Sequence, residues 1–153
     1  METQVFRFPK LRGGYSLDNG VPVEAQSMHI HTELEIIYIY KGCFNFQIEG
    51  TVYPVSPGDL IIMRMSEAHS IITNTEMPVY ERITFHIDPQ ILKETLNGRL
   101  LKPFMDRPLG ALNHYLAAEL PEALIRSCIS QIFQKRVLHS EMQVLSYLLP
   151  LLQ

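Results

Sequence analysis

Cysteine is scarce in this chain: Cys43 and Cys128 are the only two among 153 residues. Two thiols so far apart build neither a disulfide framework nor a cysteine-based zinc site. They suit a reducing cytoplasm, where they act as small apolar core residues. No apolar stretch reaches the ~18 residues that a membrane helix needs. The opening METQVFRFPK has no apolar core behind a basic start and no small-residue cleavage site, so neither membrane insertion nor export is expected. An excess of positive charge is missing too. With a formal net charge of −3 and scattered lysines and arginines, the chain offers no field for a phosphate backbone, and nothing in it reads DNA. Internal repeats and low-complexity segments are also absent.

Hydrophobic residues at 46% and charged residues at 19% describe an ordinary globular chain, long enough for one domain with a substantial core. Two compositions follow one another. From about Val21 to Asp88 the chain is rich in Ile, Val, Tyr, Phe and Thr and broken by turn formers, the pattern of short antiparallel strands. LEIIYIYKG reads as a strand ending at Gly42, and CFNFQIEGTVYPV as a hairpin turning at Glu49-Gly50. LIIMRM, HSIITNT and VYERITFHI supply further strands, and closing them into a barrel removes exposed sheet edges. From Asp88 the period becomes helical. Asp88 caps a short helix with Pro89 at its first position, Ile125, Ile129, Ile132 and Phe133 form one stripe of a longer helix, and Ser140 to Gln143 is a capping-box pattern opening a last one. The first twenty residues, with Gly13, Gly14, Asn19 and Gly20, read as an irregular arm. The expected organisation is therefore an arm at 1–20, a β-barrel at 21–88 and a helical segment at 89–153.

Chemistry concentrates in MHIHTELE. Residues two apart on a strand point to one face, so His29 and His31 can aim both rings at one point. A bend near Thr32-Glu33 brings the Glu35 carboxylate to the pair, and a barrel can carry His69 opposite them. Three imidazoles and a carboxylate suit Zn, Ni, Fe, Mn or Co. The alternative use of the same four residues is a polar pocket whose members hydrogen-bond one another or a ligand. Glu33 reads as a solvated rim residue. On the VYERITFHI strand, Ile83, Phe85 and Ile87 are the better core set, which leaves His86 as a candidate pocket residue, and Arg64 is a candidate partner for an acidic ligand.

The spacing His29-x-His31-x-x-x-Glu35 before Gly42 resembles the first cupin motif, and Pro57-Gly58-Asp59 followed by His69 resembles the second. The stretch from His29 to Pro89 is more closely similar to the N-terminal sensor domain of AraC-type transcriptional regulators. That resemblance implies a mainly β fold with C-terminal α: a cupin (double-stranded β-helix, jelly-roll) barrel followed by a helical dimerisation segment. It also implies a small-molecule effector, a sugar or related metabolite, sensed by a homodimer whose DNA is bound by a separate C-terminal domain. The implied pocket is His29, His31, Glu35, His69, His86 and Arg64, with the first four as ligands of a divalent transition metal. The motif departs at Val23, where the cupin pattern has glycine, at Arg64 and Ser66, where it has proline and glycine, and at Thr73, where asparagine stands one residue on at Asn74. A cytoplasmic, non-enzymatic sensor is the reading. A metal-dependent cupin enzyme, an isomerase or dioxygenase, is the alternative.

Overall fold

The computed structural model describes residues 2–19, 27–72, 79–133 and 140–152. Val23, Thr73 and Asn74, each singled out in the sequence, lie outside the described residues. Two antiparallel sheets face each other. The larger is built from β1 (Glu2–Arg7), β2 (Leu11–Asn19), β3 (Leu34–Lys41), β6 (Leu60–Met63), β8 (Val79–Ile87) and β9 (His114–Tyr115), in the order β1-β2-β8-β3-β6-β9. The smaller is β4 (Phe44–Ile48), β5 (Thr51–Val55) and β7 (His69–Ile72), in the order β5-β4-β7. The helices α1 (Pro89–Glu94), α2 (Lys102–Met105), α3 (Glu122–Phe133) and α4 (Glu141–Leu148) follow the strands. This is the mainly β barrel with C-terminal helices that the sequence announces.

Local chemistry explains several boundaries. Glu49 and Gly50 both take positive φ, 49° and 83°, so a two-residue turn of the type that matches strand twist pairs Ile48 with Thr51. The Asp88 carboxylate accepts the Gln90 N–H at the head of α1, and the Ser140 hydroxyl accepts the Gln143 N–H at the head of α4.

The arm is the main correction. Residues 2–7 and 11–19 are strands of the large sheet, and β2 runs beside β8 from Leu11↔Ile87 to Asn19↔Val79. Gly13 and Gly14 sit inside β2, so the segment expected to be irregular is regular strand. A Cβ on Gly13 would stand 2.5 Å from the Phe6 ring, so glycine there lets an aromatic side chain lie across the strand. Gly13 thus serves packing inside a regular strand.

Parity then sorts the core into two layers. Leu34, Ile36, Tyr38, Ile83, Phe85 and Ile87 point away from the barrel and pack under Leu92, Ile125, Ile129, Ile132, Val144 and Leu148. Ile37, Ile39, Ile61, Met63 and Tyr80 point inward against Phe44, Phe46, Ile48 and Ile71 of the small sheet. Covering both faces of β3 buries its first six residues, which is why LEIIYI runs apolar without alternating. The Ile83/Phe85/Ile87 set is core as expected, but it is core against helices. The opposite face of β8, carrying His86, looks into the barrel. Of the two cysteines expected in the core, Cys128 on α3 is buried but Cys43 is exposed, and Leu124 of the same helix is 42% exposed.

Candidate functional site

His31, Glu35 and His69 meet between the two sheets. Glu35 shares the inward face of β3 with Ile37 and Ile39, and His69 opens β7 opposite Ile48 on the inner face of the small sheet. His31 precedes β3. Its carbonyl accepts the Ser66 N–H at 3.0 Å, tying it to the turn that leads into His69. Ser66 stands where the cupin pattern has glycine and still takes the left-handed backbone, φ 62°, so the turn keeps the shape despite the substitution. His29 and His69 exchange backbone hydrogen bonds at 3.0 Å each way, and their ring centroids are 4.3 Å apart.

Glu35 Oε2 lies 2.9 Å from His31 Nε2 and 3.2 Å from His69 Nε2, and Glu35 Oε1 lies 3.6 Å from His86 Nε2. Three rings share one orientation rule. His29, His31 and His69 direct Nδ1 at the carbonyls of Ser27, Glu33 and Glu67, at 3.0, 2.9 and 2.8 Å. A carbonyl only accepts, so in each ring Nδ1 carries the hydrogen, and neutral Nε2 presents a lone pair. Backbone carbonyls fixing ring tautomers in this way are the usual outer support of metal-binding histidines.

That arrangement tests the fit of a metal. Two lone-pair nitrogens aimed at a carboxylate oxygen need a proton or a cation between them. His69 Nε2 is buried with no hydrogen-bond partner, the orphaned atom a cation would satisfy. Donors ~2.1 Å from one ion and at right angles around it stand ~3 Å apart, close to the separations seen here. Without a cation a proton does the work: hydrogen bonding to Glu35 raises the His31 pKa. Burial pushes Glu35 upward, but His31 and His69 outweigh it and hold the carboxyl below its usual range.

Among the described residues, two groups bring three ligand atoms within 4.8 Å of one another: His31, Glu35 and His69, and His31, Glu33 and His86. His29 belongs to neither and is exposed. Burial lowers the His86 pKa and favours the neutral ring. Glu33 does more than sit on a rim, since it takes the Arg12 guanidinium on both oxygens and stands 3.7 Å from His86. Arg64 does not join the cluster, and its guanidinium donates to the carbonyls of Met105 and Arg107.

The cluster forms one wall of a cavity of about 450 Å3, which also takes Arg7, Arg12, Gly14 and Ser16 from the first two strands and Arg82 and Thr84 from β8. Sequence reasoning missed β1 and β2 as cavity walls. The available signal was the alternation of Arg12, Gly14 and Ser16 on one face of the second strand.

A small-molecule cavity with a histidine–carboxylate wall inside a two-sheet barrel defines the class as a ligand-binding barrel. Residues 15–149 match the AraC-like ligand binding domain family, and the chain belongs to that family. The curated proteins contain no match. Solved structures similar to it include a cupin 2 conserved barrel domain protein from Salinispora arenicola, at 18% identity over 60% of this chain and 78% of that one, with a TM-score of 0.47. Oxalate decarboxylase of Bacillus subtilis, described with Mn(II) centres, is 24% identical over 52% of this chain and 21% of that one, with a TM-score of 0.43. A putative mannose-6-phosphate isomerase from Ralstonia eutropha is 14% identical over 57% of this chain and 85% of that one, with a TM-score of 0.46. Among the described residues no helix is long and apolar enough to cross a membrane.

Proposed function

We propose that this domain is the effector-sensing part of a cytoplasmic transcriptional regulator, one that binds a small molecule in the barrel while a separate domain binds DNA. The observation that carries the reading is the cavity of about 450 Å3 with His31, Glu35 and His69 converging on its wall, in a domain of the AraC-like ligand-binding family. His86 contributes a neutral imidazole to the same space and completes the polar lining. His31, Glu35 and His69 would hold a divalent transition ion, Zn, Ni, Fe, Mn or Co, which would supply Lewis acidity toward a ligand oxygen. The ring tautomers and the orphaned His69 nitrogen support that assignment. Occupancy of the cavity must favour one arrangement of the helices over another, because a ligand with equal affinity for both states shifts nothing. Homodimerisation through the helical segment, 89–153, fits the exposure of Leu124 on α3 and Met142 on α4.

Thermal shift against a broad metabolite panel tests the sensing role. Saturable stabilisation by a metabolite, without its turnover, is the expected outcome, and chemical conversion of the stabilising compound would overturn the sensor in favour of an enzyme. Elemental analysis of protein purified without a histidine tag is expected to return about one transition ion per chain. Light scattering on the same sample reports the dimer.

A further inference from the structure

Motif spacing and tertiary structure disagree about one ligand. The spacing offers His29, His31, Glu35 and His69, yet His29 enters neither group of converging donor atoms. His86 enters one of them, with a nitrogen within 4.8 Å of a His31 nitrogen. Ring positions agree, since the His31 centroid lies 5.3 Å from that of His86 and 6.3 Å from that of His29.

Strand register puts His86 there. Arg12, His86 and Glu35 stand side by side on β2, β8 and β3. Glu35 directs Oε2 at His31 and His69, and Oε1 at His86, whose Nε2 lies 3.6 Å away. On the other side of that ring, Nδ1 is buried without a hydrogen-bond partner, 3.7 Å from Glu33 Oε2. Glu33 is itself fixed, because the Arg12 guanidinium takes both its oxygens.

A carboxylate thus lies beyond each nitrogen of His86. A neutral imidazole has one hydrogen, so it answers one carboxylate and turns a lone pair on the other. With the hydrogen on Nδ1, toward Glu33, the ring repeats the rule of His31 and His69: Nδ1 faces a fixed oxygen of the protein and Nε2 presents its lone pair to Glu35. A carboxylate behind a ligating imidazole is a common outer support. His29 also sets Nδ1 on a carbonyl, that of Ser27, but its donor stands outside the converging set.

We propose that His86, rather than His29, is the fourth ligand beside His31, Glu35 and His69, and that Glu33, held by Arg12, is its outer support. The inference rests on the metal reading proposed above and deepens it. Both glutamates of HIHTELE then have a place, Glu35 on the ion and Glu33 behind His86.

The test is zinc calorimetry and cobalt(II) visible absorption on the 153-residue chain and its variants. His86→Ala is expected to weaken zinc by more than about 100-fold, beyond the cost of a lost outer support, and to change the cobalt bands. Glu33→Gln is expected to weaken zinc about tenfold with the bands retained. His29→Ala is expected to change zinc affinity less than threefold and to leave the bands as they are. Proton–nitrogen correlation spectra of the unsubstituted chain need no variant to fold. On zinc loading they are expected to shift Nε2 of His86 together with those of His31 and His69, while His29 keeps its free-imidazole signals. Zinc binding that leaves the His86 signals in place, or a greater loss in His29→Ala than in His86→Ala, would overturn the assignment and leave the metal site standing. Unchanged cobalt bands in His86→Ala would likewise overturn it, reducing His86 to an outer support. An unsubstituted chain that binds neither zinc nor cobalt would bring down the metal reading together with the inference.

Discussion

Two buried glutamates in this molecule have opposite surroundings. Glu67 is 1% exposed and saturated. It accepts two hydrogen bonds from the Arg107 guanidinium at 2.6 and 2.7 Å, and others from the N–H groups of Arg64 and Gly110 and the Asn113 side chain, at 2.9, 2.9 and 3.1 Å. Glu35 is 6% exposed and faces three imidazoles instead. Every partner of Glu67 is a permanent donor that the chain itself supplies. The partners of Glu35 donate only when protonated. A carboxylate satisfied by permanent donors is part of the frame, whereas one surrounded by lone pairs waits for something to arrive. The two are joined, because the Glu67 carbonyl holds the Nδ1–H of His69, so the closed network sets the orientation of the open one.

The largest effect expected from breaking this contrast comes on the closed side. Arg107→Ala leaves a charge buried without its partner and should cost about 3–5 kcal/mol in denaturant unfolding. A loss below about 1 kcal/mol would show that Glu67 is no strut. On the open side, Glu35→Gln should lower zinc affinity in calorimetry by about two orders of magnitude or more, beyond what loss of an outer support costs. Its effect on metal-free stability should be smaller than that of Arg107→Ala, and the reverse ranking would erase the distinction.

Acidity separates the two sites further. In the metal-free protein His31 is raised above its reference value of 6.5, so its pair with Glu35 stabilises the fold below that pH and is lost as pH rises through the elevated value. His86 is lowered by burial and works in the opposite sense, reducing stability as pH falls through the ordinary imidazole range. Metal affinity should climb with pH, because the ion must displace the proton on His31, about tenfold per pH unit while that proton remains bound. A flat zinc affinity between pH 5.5 and 7.5 would remove His31 from the ligand set. For Glu67, burial pushes the carboxyl up, but Arg107 and the backbone N–H groups hold it below the usual carboxylate range. Its contribution is therefore present above about pH 4.5 and lost only as pH falls through its lowered value.

The smallest predicted change concerns the turn between the two sites. Ser66 bears the left-handed backbone that glycine adopts without strain, so Ser66→Gly should stabilise the protein by about 1 kcal/mol. Zinc affinity is expected to move less than threefold. A larger shift would mean that the Ser66 side chain itself orients His69.

Much of the barrel was legible because its signals are local. The Glu49-Gly50 turn, the Asp88 cap and the apolar stripe on α3 each depend on residues within a few positions of one another. β1 and β2 were not legible, because Gly13 and Gly14 carry the same letter for different reasons. One is glycine because Phe6 lies on it, and the other lines the cavity. Glu67 and Arg107 stand far apart in sequence, and nothing local links them. Arg64 looked like a ligand partner on charge alone, yet the carbonyls of Met105 and Arg107 take its guanidinium.

By itself the sequence determined the strand-then-helix order, the pairing of ligand types in HIHTELE, and the family to which these belong, since all three are written in spacing and side-chain chemistry. Tertiary structure decided which four groups approach one another and which are left behind. His69 reaches Glu35 across the space between the sheets, His86 joins through the register of β8 against β3, and His29 lines the cavity beside His69 without entering either group of ligand atoms. Only the closed sheets fix those distances, and the distances are what separate a metal site from a scatter of histidines.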